Sequence, residues 1–350
     1  MVTMQDVADR AQVSIATVSF VVNGTKRVTT STRERVESAM RELGFARNPI
    51  GAALARGRTR IVAMLFPALE RPLSLTAAAF FTSASRRARE RGYDLVMWPI
   101  GNDAEQIAVL ARSGLVDGVL LMEVQLDDPR VAALVEHDVE FAMIGRTADP
   151  SALPYVDIDM SSSVDAAYAQ LTAEGHEDIA FLHSASPSYD HALVSRATRA
   201  YRELTERHGH PTTFISCEET PGDGRRVGER FAVDHPDTTA VIILNEHAAP
   251  GLVAGLARGG LDVPRDVSII SLGSSAYMAE MTDPPLTYLR TPGTELGELG
   301  LDALIDRVEN ARTPRPQILL PCELVPGGTV AAAAPVRHPH GPYVRTSPRV

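Results

Sequence analysis

Lys26 and nine arginines lie within the first 60 residues of this 350-residue chain, against Asp6, Asp9, Glu34, Glu37 and Glu42. That segment carries +5 in a chain whose net charge is −10, so the other 290 residues carry −15. Cations concentrated at one end of an acidic body suit contact with phosphates at that end alone. Groups for covalent or acid–base chemistry show no such grouping. His176, His183, His191 and His247 are scattered, and no GxSxG, P-loop, HExxH or paired-carboxylate pattern stands out, so each histidine reads as structural or exposed. Cys217 and Cys322 have neither CxxC nor Cys/His spacing, which argues against a zinc site and a disulfide scaffold. The residues point away from an enzyme and call for no cofactor and no metal.

Three short amphipathic stretches must carry the basic end. Thr3 can cap a helix whose apolar positions Met4, Val7, Ala8 and Ala11 follow the i, i+3, i+4, i+7 spacing of one buried face. Gln12-Val13 makes a turn, and Ser14 can cap a second helix from Ile15 to about Val22, with Val18, Val21 and Val22 inward. Asn23-Gly24 tolerates the left-handed geometry that ends a helix. Ser31 and Glu34 have capping-box spacing for a third helix with Val36, Ala39, Met40 and Leu43 as its stripe, stopped by Gly44. Two helices joined by so tight a turn and braced by a third describe a helix-turn-helix, which enters the DNA major groove by the N-terminal end of its second helix.

From Ile61 onward, apolar runs alternate with longer amphipathic stretches. IVAMLF (61–66), DLVMW (94–98), VDGVLLM (116–122), FAMIG (141–145), DIAFLH (178–183), AVIILN (240–245) and VSIISL (267–272) read as buried strands, with helices over such segments as 75–91 and 164–174. This alternation implies an α/β core of doubly wound parallel sheets. About 270 residues exceed one such sheet, so two lobes with a ligand cleft at the strands' carboxyl ends are expected. No uninterrupted apolar run reaches the ~18 residues of a membrane span, and MVTMQDVADR lacks the apolar stretch of a leader; a cytoplasmic location is expected. The Pro-rich, basic tail 331–350 reads as disordered. It has no heptad for a tetramerising coiled coil, which favours a dimer.

Residues 2–48, VTMQDVADRAQVSIATVSFVVNGTKRVTTSTRERVESAMRELGFARN, closely resemble the head of the lactose-repressor/galactose-repressor family of bacterial regulators. The shared pattern is DVA…A-x-VS-x-x-TVS-x-V-x-N followed by V…TR-x-x-V…A…LG-[YF]. The resemblance continues through VDGVLLM, EGHEDIAFL (174–182), NEHAAPGLVAGLARGGLDVPRDVSIISL (245–272) and PPLTYLRTPGTELGELGLDALIDRV (284–308), and spans about 2–330. It implies an all-α head (1–45), a hinge (46–60) and a periplasmic-binding-protein-like core (61–330). Because the chain crosses between lobes three times in that fold, the first lobe is expected at about 61–158 plus 292–316 and the second at 159–291 plus 317–330.

The resemblance also implies roles. Ser14, Thr17, Ser19, Asn23, Arg27 and Thr32 stand at positions that contact DNA phosphates or orient the helix; such contacts set register and carry little sequence information. Ile15, Ala16 and Phe20 stand at base-reading positions, which in the family are often polar, with arginine common at the position of Phe20. Apolar side chains can touch a thymine methyl but cannot make bidentate hydrogen bonds to guanine or adenine. Asn48, Ala53, Leu54 and Ala55 match a hinge helix that forms when a dimer sits on DNA, with Leu54 as the minor-groove wedge. Ser74, Arg196, Tyr201, Asn245, Gly273 and Ser274 are the candidate effector contacts. Here too the chain departs: Ala197 takes the place of a sugar-gripping arginine, Glu246 follows Asn245 where Asp is usual, and Gly273 replaces an aspartate. An effector other than an ordinary monosaccharide, or none, is therefore expected. The function implied is a dimeric repressor binding a palindromic DNA operator under small-molecule control; a transporter's solute-binding receptor with the same core is the alternative.

Overall fold

The structure, a computed structural model, describes residues 2–23, 26–45, 58–67, 75–101, 103–184 and 192–333. It divides between Arg60 and Ile61 into two compact units.

The N-terminal unit holds α1 (Met4–Ala11), α2 (Ile15–Asn23) and α3 (Thr30–Leu43). Thr3 opens α1 with a reciprocal capping box: its hydroxyl accepts from the Asp6 N–H, and the Asp6 carboxylate accepts from the Thr3 N–H at 2.8 Å. Gln12 takes a left-handed φ of 52° and turns its N–H back on the last carbonyls of α1, so only Gln12, Val13 and Ser14 separate the two helices. Ser14 then caps α2, its hydroxyl accepting from the Thr17 N–H at 3.2 Å. The start of α3 differs from the sequence expectation. Thr29 is its N-cap and accepts from the Thr32 N–H, while Ser31 and Glu34 are exposed residues already within the helix. In a run of four hydroxyl residues, 29–32, the hydroxyl farthest upstream takes the cap and adds two residues, about half a turn, to the helix. Val7, Ala8, Ala11, Val18, Val21, Val36 and Ala39 form the unit's core.

In chain order the second unit begins β1 (Ile61–Phe66), α4 (Leu75–Glu90), β2 (Asp94–Pro99), α5 (Ala104–Ser113), β3 (Gly118–Leu121), α6 (Pro129–Glu136), β4 (Phe141–Ile144) and β5 (Tyr155–Ile158). It continues with α7 (Met160–Ala173), β6 (Ile179–His183), α8 (Ala192–His208), β7 (Thr213–Ser216), α9 (Pro221–Asp234), β8 (Ala240–Ile243), α10 (Ala249–Arg258) and β9 (Ser268–Ser274). The last elements are α11 (Ala276–Ala279), β10 (Thr287–Arg290), α12 (Gly293–Glu309), β11 (Gln317–Leu320) and β12 (Glu323–Val325). Two six-stranded sheets result, ordered β11-β5-β4-β3-β1-β2 and β12-β10-β9-β8-β6-β7. Every pairing is parallel except β10 with β12.

The chain passes between lobes after β5, after β10 and between β11 and β12. These crossings meet: the Asp159 N–H donates to the Leu320 carbonyl at 2.8 Å, and the Cys322 thiol lies against Ser163 and Thr291. One boundary needs correction. Residues 317–320 pair with β5, Gln317 opposite Tyr155 and Leu320 opposite Ile158, so they belong to the first lobe and not to the second. The crossing falls at 321–322, between β11 at the edge of the first sheet and β12, which pairs with β10 in the second.

In the second lobe, α9 and α10 cross on glycine. Gly224 and Gly228 of one face Gly251 and Gly255 of the other, and an added Cβ at each would lie 1.9–2.5 Å from partner backbone atoms. His176 anchors the end of the same lobe. Its Nδ1 pairs with the Thr239 hydroxyl at 2.9 Å, and its Nε2 lies 3.0 Å from both the Ser268 hydroxyl and the Ala331 carbonyl. Burial lowers its pKa, so the neutral imidazole is a structural clasp on the C-terminal segment.

Candidate nucleic-acid interface and effector cleft

In the head, Ser14, Ile15 and Ala16 are all exposed at the start of α2, with Ile15 47% accessible despite its apolar side chain. The first N–H groups of a helix lack intrahelical acceptors and favour anions, so this end offers donors beside an apolar surface. The hydroxyls of Ser14 and Thr17 share one hydrogen bond of 2.9 Å, which uses one of their two O–H protons and leaves the other to donate outward. Ser19 and Phe20 are half-buried, and Asn23 is the last residue of α2. Phe20 does not belong to the apolar core of the described head; Lys26 Nζ sits 5.0 Å from its ring centroid, a cation–π contact. Arg27 is exposed in the turn before α3, and Thr32 sits in the first turn of α3, its hydroxyl 2.8 Å from that of Thr29. Ile15, Ala16 and the hydroxyl group of Ser14 therefore share one helix end, with Phe20 a turn further along. Asn48, Ala53, Leu54 and Ala55 lie outside the described residues, as do Ser74, His191 and 334–350.

In the core, the carboxyl ends of β3, β4 and β5 face α8 of the other lobe. A cavity of about 60 Å³ there is lined by Glu123, Arg146, Asp157, Ala192 and Arg196, among others. Arg196 reaches across the lobes: its Nη2 donates to the Arg146 carbonyl at 2.6 Å and to the Thr147 carbonyl at 2.9 Å. Two further bonds cross the cleft, from the Ala192 N–H to the Val124 carbonyl at 3.3 Å and from the Thr76 hydroxyl to the Gly273 carbonyl at 3.3 Å. Burial lowers the pKa of Arg196, opposed by the Asp157 carboxylate. The loop carrying Glu123 is itself fixed by a buried pair: Arg130 binds the Asp128 carboxylate through Nε at 3.0 Å and Nη2 at 2.8 Å, and donates to the Met122 and Glu123 carbonyls.

On the second-lobe wall, the buried Ser274 hydroxyl donates to the Glu246 carboxylate at 3.3 Å, and burial raises the Glu246 pKa. Asn245 is buried, its amide donating to the Cys217 carbonyl at 3.4 Å and accepting from the Ala248 N–H at 3.3 Å. Gly273 has a φ of 63°, a conformation that favours glycine over the aspartate the family resemblance expects.

Tyr201 is not an effector contact. Its side chain is fully buried, its hydroxyl donates to the Ile179 carbonyl, and its ring packs 5.1 Å from Phe181 and 5.2 Å from Phe214. A tyrosine on the inner face of an amphipathic helix turns into the lobe core, whereas Arg196, five residues earlier, faces the cleft. Arg146, Asp157, Glu123 and Thr76 did not enter the sequence reading. The signal for Glu123 and Arg146 was their place just past the apolar runs VDGVLLM and FAMIG, where open α/β sheets bind ligands; no apolar run in the sequence marks Asp157, and nothing signals Thr76. Among the described residues no group of three His, Cys, Asp or Glu side chains is placed to hold a metal ion, and no helix is long and apolar enough to cross a membrane.

Residues 3–48 match the family model for bacterial regulatory proteins of the lacI family, and residues 168–330 match that for a periplasmic binding protein-like domain. The transcriptional regulator CelR of Thermobifida fusca is 30% identical over 337 residues, covering 92% of this chain and 96% of that protein. The transcriptional repressor CytR of Escherichia coli K12 is 28% identical over 342 residues, covering 94% and 96%. Among solved structures, a CelR–cellobiose complex aligns with a TM-score of 0.69 at 26% identity, over 94% of this chain and 100% of that one. The fold also matches a lac repressor dimer bound to operator and the anti-inducer ONPF, with a TM-score of 0.83 at 22% identity over 95% and 99%. These relatives are regulators with a DNA-binding head, and a solute-binding receptor is not favoured. With head and core each matched and a relative 30% identical along nearly its whole length, the chain belongs to the lacI family of bacterial transcriptional regulators.

Proposed function

We propose that this regulator is a repressor that binds a near-palindromic operator as a homodimer, with α2 of each subunit in successive major grooves and the Leu54 pair wedged at the centre. A small molecule held between the lobes shifts the balance of their arrangements and hence the DNA affinity. The observation that carries the reading is the start of α2, where the Ser14 and Thr17 hydroxyls and the first helix N–H groups border exposed Ile15 and Ala16. Phosphate contacts position such a helix and base contacts select sequence, and this one end supplies both. The four hydrogen bonds across the cleft, made by Arg196, Ala192 and Thr76, support the core's part, since a ligand seated among them alters how the lobes meet. Selection of full-length protein from a random DNA pool tests the proposal. Enrichment of two inverted half-sites whose centres are about one helical turn apart is the expected result. Enrichment of no motif, or of a lone half-site bound by monomer, would overturn it.

A further inference from the structure

We propose that the cleft receives an anion, a small molecule whose carboxylate or phosphate group seats between the guanidiniums of Arg146 and Arg196; this rests on the reading of the cleft as an effector site. Both guanidiniums approach the same oxygen of Asp157, Arg146 Nη1 at 3.4 Å and Arg196 Nη1 at 3.6 Å. Both distances exceed the ~2.7–2.9 Å of a charge-assisted hydrogen bond. Arg146 Nη1 is moreover buried with no hydrogen-bond partner among the described residues, a state that costs free energy until an acceptor arrives. Arg196 leaves no slack either: its side chain is 7% exposed, and its Nη2 is committed to the backbone of the opposite lobe.

Net charge does not decide the ligand, because Glu123 also lines the cavity and brings its acids level with its arginines. Geometry does. A planar guanidinium presents paired N–H groups that fit a carboxylate or phosphate and bind it about twice as strongly as a neutral acceptor. The first residues of the 17-residue helix α8, Ala192 and Leu193, line the same cavity and turn the positive end of the helix toward it. At about 60 Å³ the space suits one charged group, with the rest of the molecule extending along the cleft.

Titration of the full-length protein with inorganic phosphate at constant ionic strength, by calorimetry, provides the test. A phosphate site is expected whose affinity falls about tenfold, or 1.4 kcal/mol, in Arg146→Met and in Arg196→Met. Phosphate also suits the head, so only binding sensitive to these substitutions counts. Arg196→Lys, which keeps the charge, and Asp157→Asn, which removes the internal competitor and should tighten binding, keep the test decisive if a methionine variant fails to fold. Absence of phosphate binding, or affinity unchanged in every variant, overturns the proposal. A neutral sugar that binds and changes operator affinity while phosphate stays inert would remove the anion and retain the effector site. Operator affinity indifferent to a ligand shown to occupy the cleft would instead remove the effector reading itself.

Discussion

Replacing Gly251 with alanine is expected to lower the melting temperature of the full chain by roughly 10 °C, equivalent to a loss of more than about 4 kcal/mol. An alanine Cβ at that position would sit 1.9 Å from the Pro221 carbonyl oxygen. The obstacle is the backbone at the start of α9, so no rotamer change relieves it and the two helices must separate. The crossing is tight along its whole length, since a Cβ added at Gly224, Gly228 or Gly255 would lie 2.1–2.5 Å from the Ala248 carbonyl oxygen, the Leu256 nitrogen or the Arg225 carbonyl oxygen. Gly222→Ala is the control. Its Cβ would meet nothing nearer than Thr220 Oγ1 at 3.9 Å, and alanine is favoured over glycine in a helix by about 1 kcal/mol. Calorimetric melting curves of the two variants should therefore diverge. Equal melting temperatures would show that the α9–α10 crossing is looser than described.

The second large effect separates function from stability. Ile15→Glu should weaken binding to the selected operator by about a hundredfold, roughly 2.7 kcal/mol, while leaving the melting temperature unchanged or slightly raised. Ile15 is half-exposed and lies outside the head's core, so little packing is lost. An acid in the first turn of a helix is favoured by the helix dipole. On DNA the same carboxylate faces polyanionic phosphate and loses the apolar contact, and like-charge juxtaposition costs several kcal/mol. Fluorescence anisotropy with labelled operator, set beside thermal unfolding, checks both halves. Operator affinity within a factor of two of the parent protein would remove Ile15 from the interface.

The head was legible in the sequence because its signals are local. Thr3, Ser14 and Gly44 cap or stop helices where their chemistry implies, and the valine and alanine periodicity names the core. The long apolar strands were legible for the same reason. Short strands outside a continuous apolar run were not: Tyr155–Ile158 contains Asp157, Thr213–Ser216 is a four-residue edge strand with hydroxyls at both ends, and β10, β11 and β12 have three or four residues each. Alternation over so few residues carries little information, and pairing with a sheet decides their conformation. The same limit misplaced 317–320, whose lobe is fixed by partners more than 150 residues away at 155–158.

The cleft was harder still. Arg196 looked displaced from the expected arginine position, yet it is the side chain that spans the lobes, and its acceptors are backbone carbonyls of Arg146 and Thr147. Backbone acceptors leave no mark in a sequence. Tyr201, which the family resemblance puts among the effector contacts, faces the other way into the aromatic core. Gly273 illustrates the opposite case, since its missing side chain was visible and its left-handed φ supplies a backbone reason for it. Cys217, which burial raises to about 12, is a packed residue with no nucleophilic character at neutral pH.

The central claim is that an apolar helix face, Ile15 and Ala16 with Phe20 beside it, selects the bases while hydroxyls and cations hold the phosphates. Binding to the selected operator in which thymines are replaced one at a time by uracil measures this most directly, since the exchange removes only a methyl group from the major groove. Loss of about 0.8 kcal/mol per contacted methyl, close to fourfold in Kd, at symmetric positions in each half-site is the predicted result. Unchanged affinity at every thymine would contradict it.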